Sequence, residues 1–370
     1  MMSAWVAVAS RVGMVSWLIV SDLMLPDHCA QGARVFGDHG VLRAFARWDS
    51  AHFLAIAKGG YVKEEDVAFY PSYPWLLRLV ACFSTNDFFL ILAGVLVSNG
   101  AFVAAAAAVE RASLGLGCSS SKAVALAFVM NPASVFSSTC YSESLFAFFA
   151  FNGIAALAKH EKKVSTLFFL LAALTRSNGC LLAIFPLITD LPTHPLRSLL
   201  SAAIVAMPPF LRDFQSYRAR CPGPAWCDDL WPSLYAQVQR THWDVGLFRY
   251  WRLKQTPNFL LAAPAVAIAI GACISEVRRQ HRKKKRTRLD RLRIAAAVHC
   301  GATLALVLAV AHVEIATRLL AHGCLPFLWA LADGLFSSEK RHNHRRYYGA
   351  YIISYNLIGA AAHSNFLPWT

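Results

Sequence analysis

Asp49 and His52 lie three residues apart in Arg47-Trp48-Asp49-Ser50-Ala51-His52, a spacing that puts both on one face of a helix. A carboxylate at a membrane surface beside an aromatic ring is suited to taking a proton from a sugar hydroxyl. The same residues also read as an interfacial tryptophan anchor next to a solvated aspartate. Downstream, Phe69-Tyr70-Pro71-Ser72-Tyr73-Pro74 gathers three rings and two prolines, fit for the headgroup belt or for a platform under a sugar.

Ionisable residues inside apolar runs carry the next signal, because a membrane tolerates them only when they are paired or functional. Glu143 opens the run that follows Asn131-Pro132, and Arg176 and Asn178 interrupt another. An arginine at a cavity clamps phosphate through its planar fork of donors. An Arg176–Glu143 ion pair holding two helices together accounts for the same residues without a ligand. The stretch from His242 through Trp243, Asp244 and Arg249 to Lys254 and Asn258 is the densest polar and aromatic cluster outside the basic loop described below. Arg249, Arg252 and Lys254 suit a lipid phosphate, and Trp243, Tyr250 and Trp251 suit sugar stacking. An interfacial helix with snorkelling cations fits equally. Arg318 and His312 flank Glu314 without a diagnostic pattern. No Walker loop, dinucleotide-type glycine pattern or HExxH sequence occurs, and carboxylates at these spacings define no metal site.

The elements that must position these groups belong to a membrane. Of 370 residues, 56% are hydrophobic and 15% charged, too few charges to coat a soluble surface of that size. At roughly 20 apolar residues per crossing, this composition allows eight to ten crossings. The long continuous runs disfavour a membrane barrel. Of the net charge of +15, +8 falls between Glu276 and Arg293, in a short loop between two apolar segments. A loop that basic marks the cytoplasmic side, and touches anionic headgroups rather than nucleic acid.

Ala4 to Leu25 is long enough to span, carries Arg11, and lacks a small-residue cleavage site, which predicts a retained signal anchor. A helix-like stretch is expected from Val41 to Lys58, lying in the interface. The polar segment 212–255 and the loop 276–293 belong on opposite sides, so an odd number of crossings must lie between 164 and 211. Two apolar blocks occupy that region, so one is broken or re-entrant; Thr175-Arg-Ser-Asn-Gly179 is the expected break, with a cavity beside it. Most of the ten cysteines sit in apolar runs, and Cys221 and Cys227 could pair if their loop faces an oxidising lumen. One domain over 1–370 is the simplest organisation.

Beyond composition, the chain resembles the GPI mannosyltransferase 2 (PIG-V) family. The likeness rests on RWDSAHFLAIAKGGY (47–61), AFYPSYP (68–74), NPASVF with YSESLFA (131–147), TRSNG (175–179), HWDVGLFRYWRLKQTPNFLLAAP (242–264) and NFLPWT (365–370). These occur in the family's order and cover essentially the whole chain. The resemblance implies an all-α polytopic GT-C type helix bundle with luminal loops and interfacial helices, in the endoplasmic-reticulum membrane. It implies transfer of the second mannose from dolichol-phosphate-mannose to the mannosyl-glucosaminyl-phosphatidylinositol intermediate through an α-1,6 bond, with inversion. Partners would be these two lipids, bulk membrane lipid and a small accessory membrane subunit, with no cofactor and no nucleic acid; no metal site is assigned, and the help of a divalent ion is left open.

The family's acid in the first luminal loop falls on Asp49, the expected base. Trp48, His52, Tyr70, Glu143, Arg176, Asn178, His242, Trp243, Asp244, Arg249 and Lys254 are the expected substrate contacts. Asp66 lies nearby, but the family pattern calls for no acid there. The region 213–240 is shorter than in longer relatives, which leaves its acceptor contacts open. Other readings are a sister dolichol-phosphate-sugar transferase, or a polytopic transporter or scaffold with polar groups strung through the midplane.

Overall fold

The computed structural model describes residues 2–28, 36, 40–283, 285–337, 342–367 and 369. Lys284, Pro368 and Thr370 of the segments above lie outside these. Fifteen α-helices are present among the described residues: α1 (Met2–Met24), α2 (Asp49–Gly59), α3 (Ser72–Val80), α4 (Asp87–Gly115), α5 (Ser121–Val129), α6 (Glu143–Ala158), α7 (Lys162–Thr175), α8 (Ile184–Asp190), α9 (Pro195–Arg220), α10 (Leu234–His242), α11 (Thr256–His281), α12 (Arg288–Ala309), α13 (Ala316–Gly323), α14 (Leu325–Phe336) and α15 (His342–Ser364).

By length and composition α1, α4, α11 and α12 can cross a bilayer. The pair α13–α14, bent by 83° at Cys324, raises the count to five. That bend follows from an extended Cys324 (φ −111°, ψ 102°) and from Pro326, which has no N–H to offer a continuing helix. Five is fewer than the eight to ten crossings that bulk composition allows. Shorter apolar helices such as α5 (9 residues) and α6 (16 residues) fall below that length, and their buried residues join the core.

The basic loop does more than mark a side. Arg288 donates to the carbonyls of Leu157 (2.5 Å) and Ala158, Arg293 to that of Leu116, and Arg291 to that of Thr189. Those carbonyls end α6, α4 and α8, where unpaired C=O groups and the negative end of the helix dipole attract cations. The loop therefore gathers several helix ends onto one basic face. α12 starts there on a capping box, with Thr287 and Asp290 each bonding the other's backbone N–H.

The region 162–190 is a helical hairpin. Lys162, at the start of α7, pairs with Asp190, at the end of α8, at 3.2 Å, so the segment leaves the basic face and returns to it. Its tip is at the expected break: Arg176 is extended (φ −150°, ψ 145°) and a 3-10 turn follows over Ser177–Ala183. A Cβ on Gly179 would meet the Ala173 backbone at 2.5 Å, so only glycine lets the tip fold this tightly. A second break, between α5 and α6, is satisfied by side chains. Asn131 Oδ1 accepts the Ala133 N–H, and Arg11 of α1 donates to the Ser134 carbonyl and to Ser138 Oγ. The charge inside the first apolar helix is thus solvated by the protein.

The stretch expected to be one helix from Val41 to Lys58 is two pieces. A 3-10 turn (Gly40–Phe45) is followed by Trp48 at φ 57°, ψ −131°, and α2 begins at Asp49. A bulky residue with positive φ is held only by its surroundings. Here the Trp48 indole N–H donates to the His363 carbonyl, and its ring packs 5.6 Å from Phe366.

Candidate active site

Because Trp48 reverses the chain, Asp49 is the first residue of α2, with its backbone N–H donating to the Tyr141 hydroxyl (3.2 Å). Its carboxylate, 39% exposed, accepts one bond from Arg318 Nη2 at 3.1 Å. Arg318 projects from α13, and its Nε and Nη2 also reach Glu143 Oε1 at 2.8 and 2.6 Å. Its guanidinium lies over the rings of Phe136 (4.4 Å) and Tyr141 (4.9 Å), which fix its plane. Arg176, at the hairpin tip, forms an ion pair with the same Glu143 oxygen (2.7 Å) and donates a hydrogen bond to Ser142 Oγ (3.1 Å). Asp49, Arg318, Glu143 and Arg176 therefore form a neutral chain of alternating charge, buried at Glu143 and open at Asp49.

A cavity of about 590 Å³ exposes Asp49, Ser142, Arg176, Asn178 and Arg318 on its floor, and Phe69, Tyr70, Trp231, Tyr235 and Trp243 on its walls. Arg212 of α9 lies against the Tyr70 ring and donates to the Val67 carbonyl at 2.6 Å, which holds that wall. Tyr235 Oη donates to Ser177 Oγ, tying α10 to the hairpin tip. Burial pushes the Tyr70 and Tyr235 phenols up from their ordinary value, so both stay neutral. Aromatic faces with neutral hydroxyls above a charged floor suit a sugar whose reacting end carries a phosphate.

The structure gathers Asp49, Tyr70, Arg176, Asn178 and Trp243 at this cavity and seats Glu143 beneath it. The pairing of Arg176 with Glu143 and its exposure to the cavity are both realised. Trp48 points away, toward the C-terminal segment. His52, one turn along α2, bonds Asp66 through Nδ1 (3.1 Å) and stacks on Phe69 at 4.5 Å, which places it behind the wall. His242, Asp244, Arg249 and Lys254 do not line the cavity. Asp244 instead pairs with Arg249 (3.3 Å) and Arg252 (2.6 Å) on the outer surface. The physical reason is that α10 ends at His242 and presents Trp243, Val245 and Gly246 to the cavity, while the cations that follow turn outward.

Arg318 was not assigned a role from sequence. Its signal was an arginine within an apolar stretch, but its partners lie 269 and 175 residues away. Asp229, Trp231, Tyr235 and Arg240 also line the cavity, from a segment whose sequence shows only polarity. Cys221 and Cys227 form a disulfide. Among the described residues no three His, Cys, Asp or Glu side chains converge as a metal-binding set.

Comparison with known proteins bears on what this cavity does. The sequence profile of the family described as Mannosyltransferase (PIG-V) matches residues 29–192 and 195–370. The chain is 29% identical to GPI alpha-1,6-mannosyltransferase 2 of Mus musculus over 94% of both proteins. It is 27% identical to that of Homo sapiens over 98% of this chain and 97% of the relative. It is 26% identical to GPI mannosyltransferase 2 of Schizosaccharomyces pombe over 88% of this chain and 73% of the relative. No solved structure matches.

Proposed function

The chain belongs to the PIG-V family of mannosyltransferases, and from that premise we propose that its cavity is where a lipid-phosphate-linked mannose meets a GPI acceptor, with Asp49 as base. It is a multi-pass membrane enzyme, a GPI α-1,6-mannosyltransferase of anchor biosynthesis. The donor in this reading is dolichol-phosphate-mannose. The acceptor is the mannosyl-glucosaminyl-phosphatidylinositol intermediate, and the compartment is the lumen of the endoplasmic reticulum. The Cys221–Cys227 disulfide, on the side away from the basic face, supports an oxidising surrounding for the cavity.

The observation that carries the reading is a carboxylate and two arginines at one cavity floor beneath aromatic walls. Asp49 takes the proton of the acceptor 6-hydroxyl as that oxygen bonds to the anomeric carbon of the β-linked donor. The carbon–oxygen bond to phosphate breaks with its electron pair going to the phosphate, and the centre inverts to α. Arg176 and Arg318 stabilise the charge that develops on the departing dolichyl phosphate. Arg318 also holds the Asp49 carboxylate toward the cavity, and Glu143 fixes both arginines from below.

The test supplies dolichol-phosphate-mannose and the one-mannose precursor to membranes holding this enzyme in cells that lack their own second GPI mannosyltransferase. A two-mannose product is expected with wild type and not with Asp49→Asn. Absence of product from well-folded wild-type enzyme would refute the reading, as would labelling that places position 49 in the cytosol.

A further inference from the structure

The cations of the stretch 242–264 turn away from the cavity, and its polar groups go instead to the connection between α12 and α13. The N–H groups of Gly246 and Phe248 donate to the carbonyls of Val310 (3.2 Å) and Ala309 (2.6 Å). The Trp251 indole N–H donates to the Leu308 carbonyl (2.6 Å). These are carbonyls that the end of α12 leaves without a helical partner. Phe248, and Asp244 before it, sit at φ 53°, a conformation that such residues hold only when their surroundings impose it.

Beyond that cap, a 3-10 turn over Val313–Ile315 leads into α13. Glu314 in this turn accepts on Oε1 from the Tyr250 hydroxyl and from the Asn258 amide, each at 2.5 Å. Burial and the Glu314 carboxylate both push the Tyr250 phenol up from its ordinary value, so it keeps its proton and donates. The Tyr250 ring stacks on His312 at 4.5 Å and shares a small apolar core with Val313, Ala316 and Leu319. The far end of α13 is held separately, where His322 Nε2 lies 2.8 Å from Ser137 Oγ. Arg318 stands between these two anchors, one helical turn after Glu314.

We propose that Glu314, fixed by Tyr250 and Asn258, is a positioning residue that sets where α13 delivers the Arg318 guanidinium to Asp49. This rests on the transferase reading above. Arg318 meets Glu143 through two N–H bonds but Asp49 through one, at 3.1 Å. A slide of α13 by about 1 Å carries that single contact out of hydrogen-bond range. The Asp49 carboxylate then loses the donor that aims it into the cavity, and the departing phosphate loses one of its two cations. A misplacement of this size costs up to about 100-fold in rate, although Glu314 touches no reacting atom. Tyr250 and Asn258 thereby act at the reaction centre through the α13 backbone.

The experiment measures two-mannose product formed per folded full-length enzyme in membranes, with dolichol-phosphate-mannose and the one-mannose precursor as probes. Glu314→Ala should lower kcat by about ten-fold or more and change either KM by less than about two-fold. Glu314→Gln keeps an oxygen that accepts from both donors and should recover most of the rate. In an Arg318→Lys background, where the fork to Asp49 is already lost, Glu314→Ala should cost less than about two-fold further, because both substitutions break one contact. A residue that only holds the fold together lowers the amount of folded enzyme, not the rate of each folded molecule. Tyr250→Phe keeps the ring on His312 and drops the hydroxyl; it should show the same non-additivity, and it decides the question if Glu314→Ala accumulates poorly. The positioning role is overturned by wild-type kcat in Glu314→Ala and Tyr250→Phe, by losses that multiply with that of Arg318→Lys, or by a Glu314→Gln enzyme as slow as Glu314→Ala. No product from well-folded wild type refutes the transferase reading instead.

Discussion

Asp49→Asn and Glu143→Gln each remove one negative charge from the same chain of four residues, and their consequences should be opposite. Glu143 is 1% exposed, and one of its oxygens takes two N–H bonds from Arg318 and an ion pair from Arg176. A neutral glutamine leaves Arg318 and Arg176 without their shared counter-charge. Removing one partner of a buried pair costs about 3–5 kcal/mol, a large part of a stability of about 5–15 kcal/mol. The Asp49 side chain is 39% exposed and makes one bond to Arg318 at 3.1 Å, so solvent screens it. Its contribution to stability is about 1 kcal/mol or less. Its contribution to rate, as the base, is about 10²–10⁴-fold. Thermal unfolding in detergent and two-mannose product formed per folded enzyme separate the two quantities. Glu143→Gln should lower Tm and abundance, while Asp49→Asn should fold normally and fail to turn over. An Asp49→Asn enzyme that transfers at the wild-type rate would refute the assignment. A Glu143→Gln protein as heat-stable as wild type would refute the account of the ion-pair chain.

Arg318→Lys keeps the charge but loses the fork that spans Glu143 and Asp49; activity should fall by about ten-fold or more with abundance retained better than in Arg318→Met, read by the same two assays. Gly179→Ala forces a Cβ to within 2.5 Å of the Ala173 backbone and should cost about 1–3 kcal/mol of stability, whereas Gly271→Ala, with nothing within 4 Å, should be neutral by Tm. Replacing Cys221 and Cys227 by serine frees a short loop worth about 2 kcal/mol of chain entropy and should lower Tm accordingly. In the wild-type protein, maleimide should label those two positions only after reduction. Trp48→Ala removes the bond to His363 and the Phe366 contact, and should lower transfer without any contact to substrate, an effect that Phe366→Ala should reproduce in part.

Local signals carried much of the fold. The charge excess at 276–293 flagged a segment whose arginines bond the ends of α4, α6 and α8, and the run Thr175-Arg-Ser-Asn-Gly179 marked the hairpin tip, because a glycine and four polar residues do not continue an apolar helix. The chain also folds Arg176 into the cavity that the break implied. What stayed hidden depended on distant pairing. Arg318 looked like an isolated charge until Glu143 and Asp49 were seen to converge on it. Arg249 and Lys254 looked equal to Arg176 as phosphate ligands, since sequence cannot tell which way a loop turns its cations after α10 ends.

The bond between Trp48 and the His363 carbonyl spans 315 residues. A nascent chain emerging from the ribosome therefore threads Asp49 into the membrane long before the group that sets its turn has been made. The corner that holds Asp49 is therefore among the last parts of the fold to be completed, because its turn waits for the helix that carries His363.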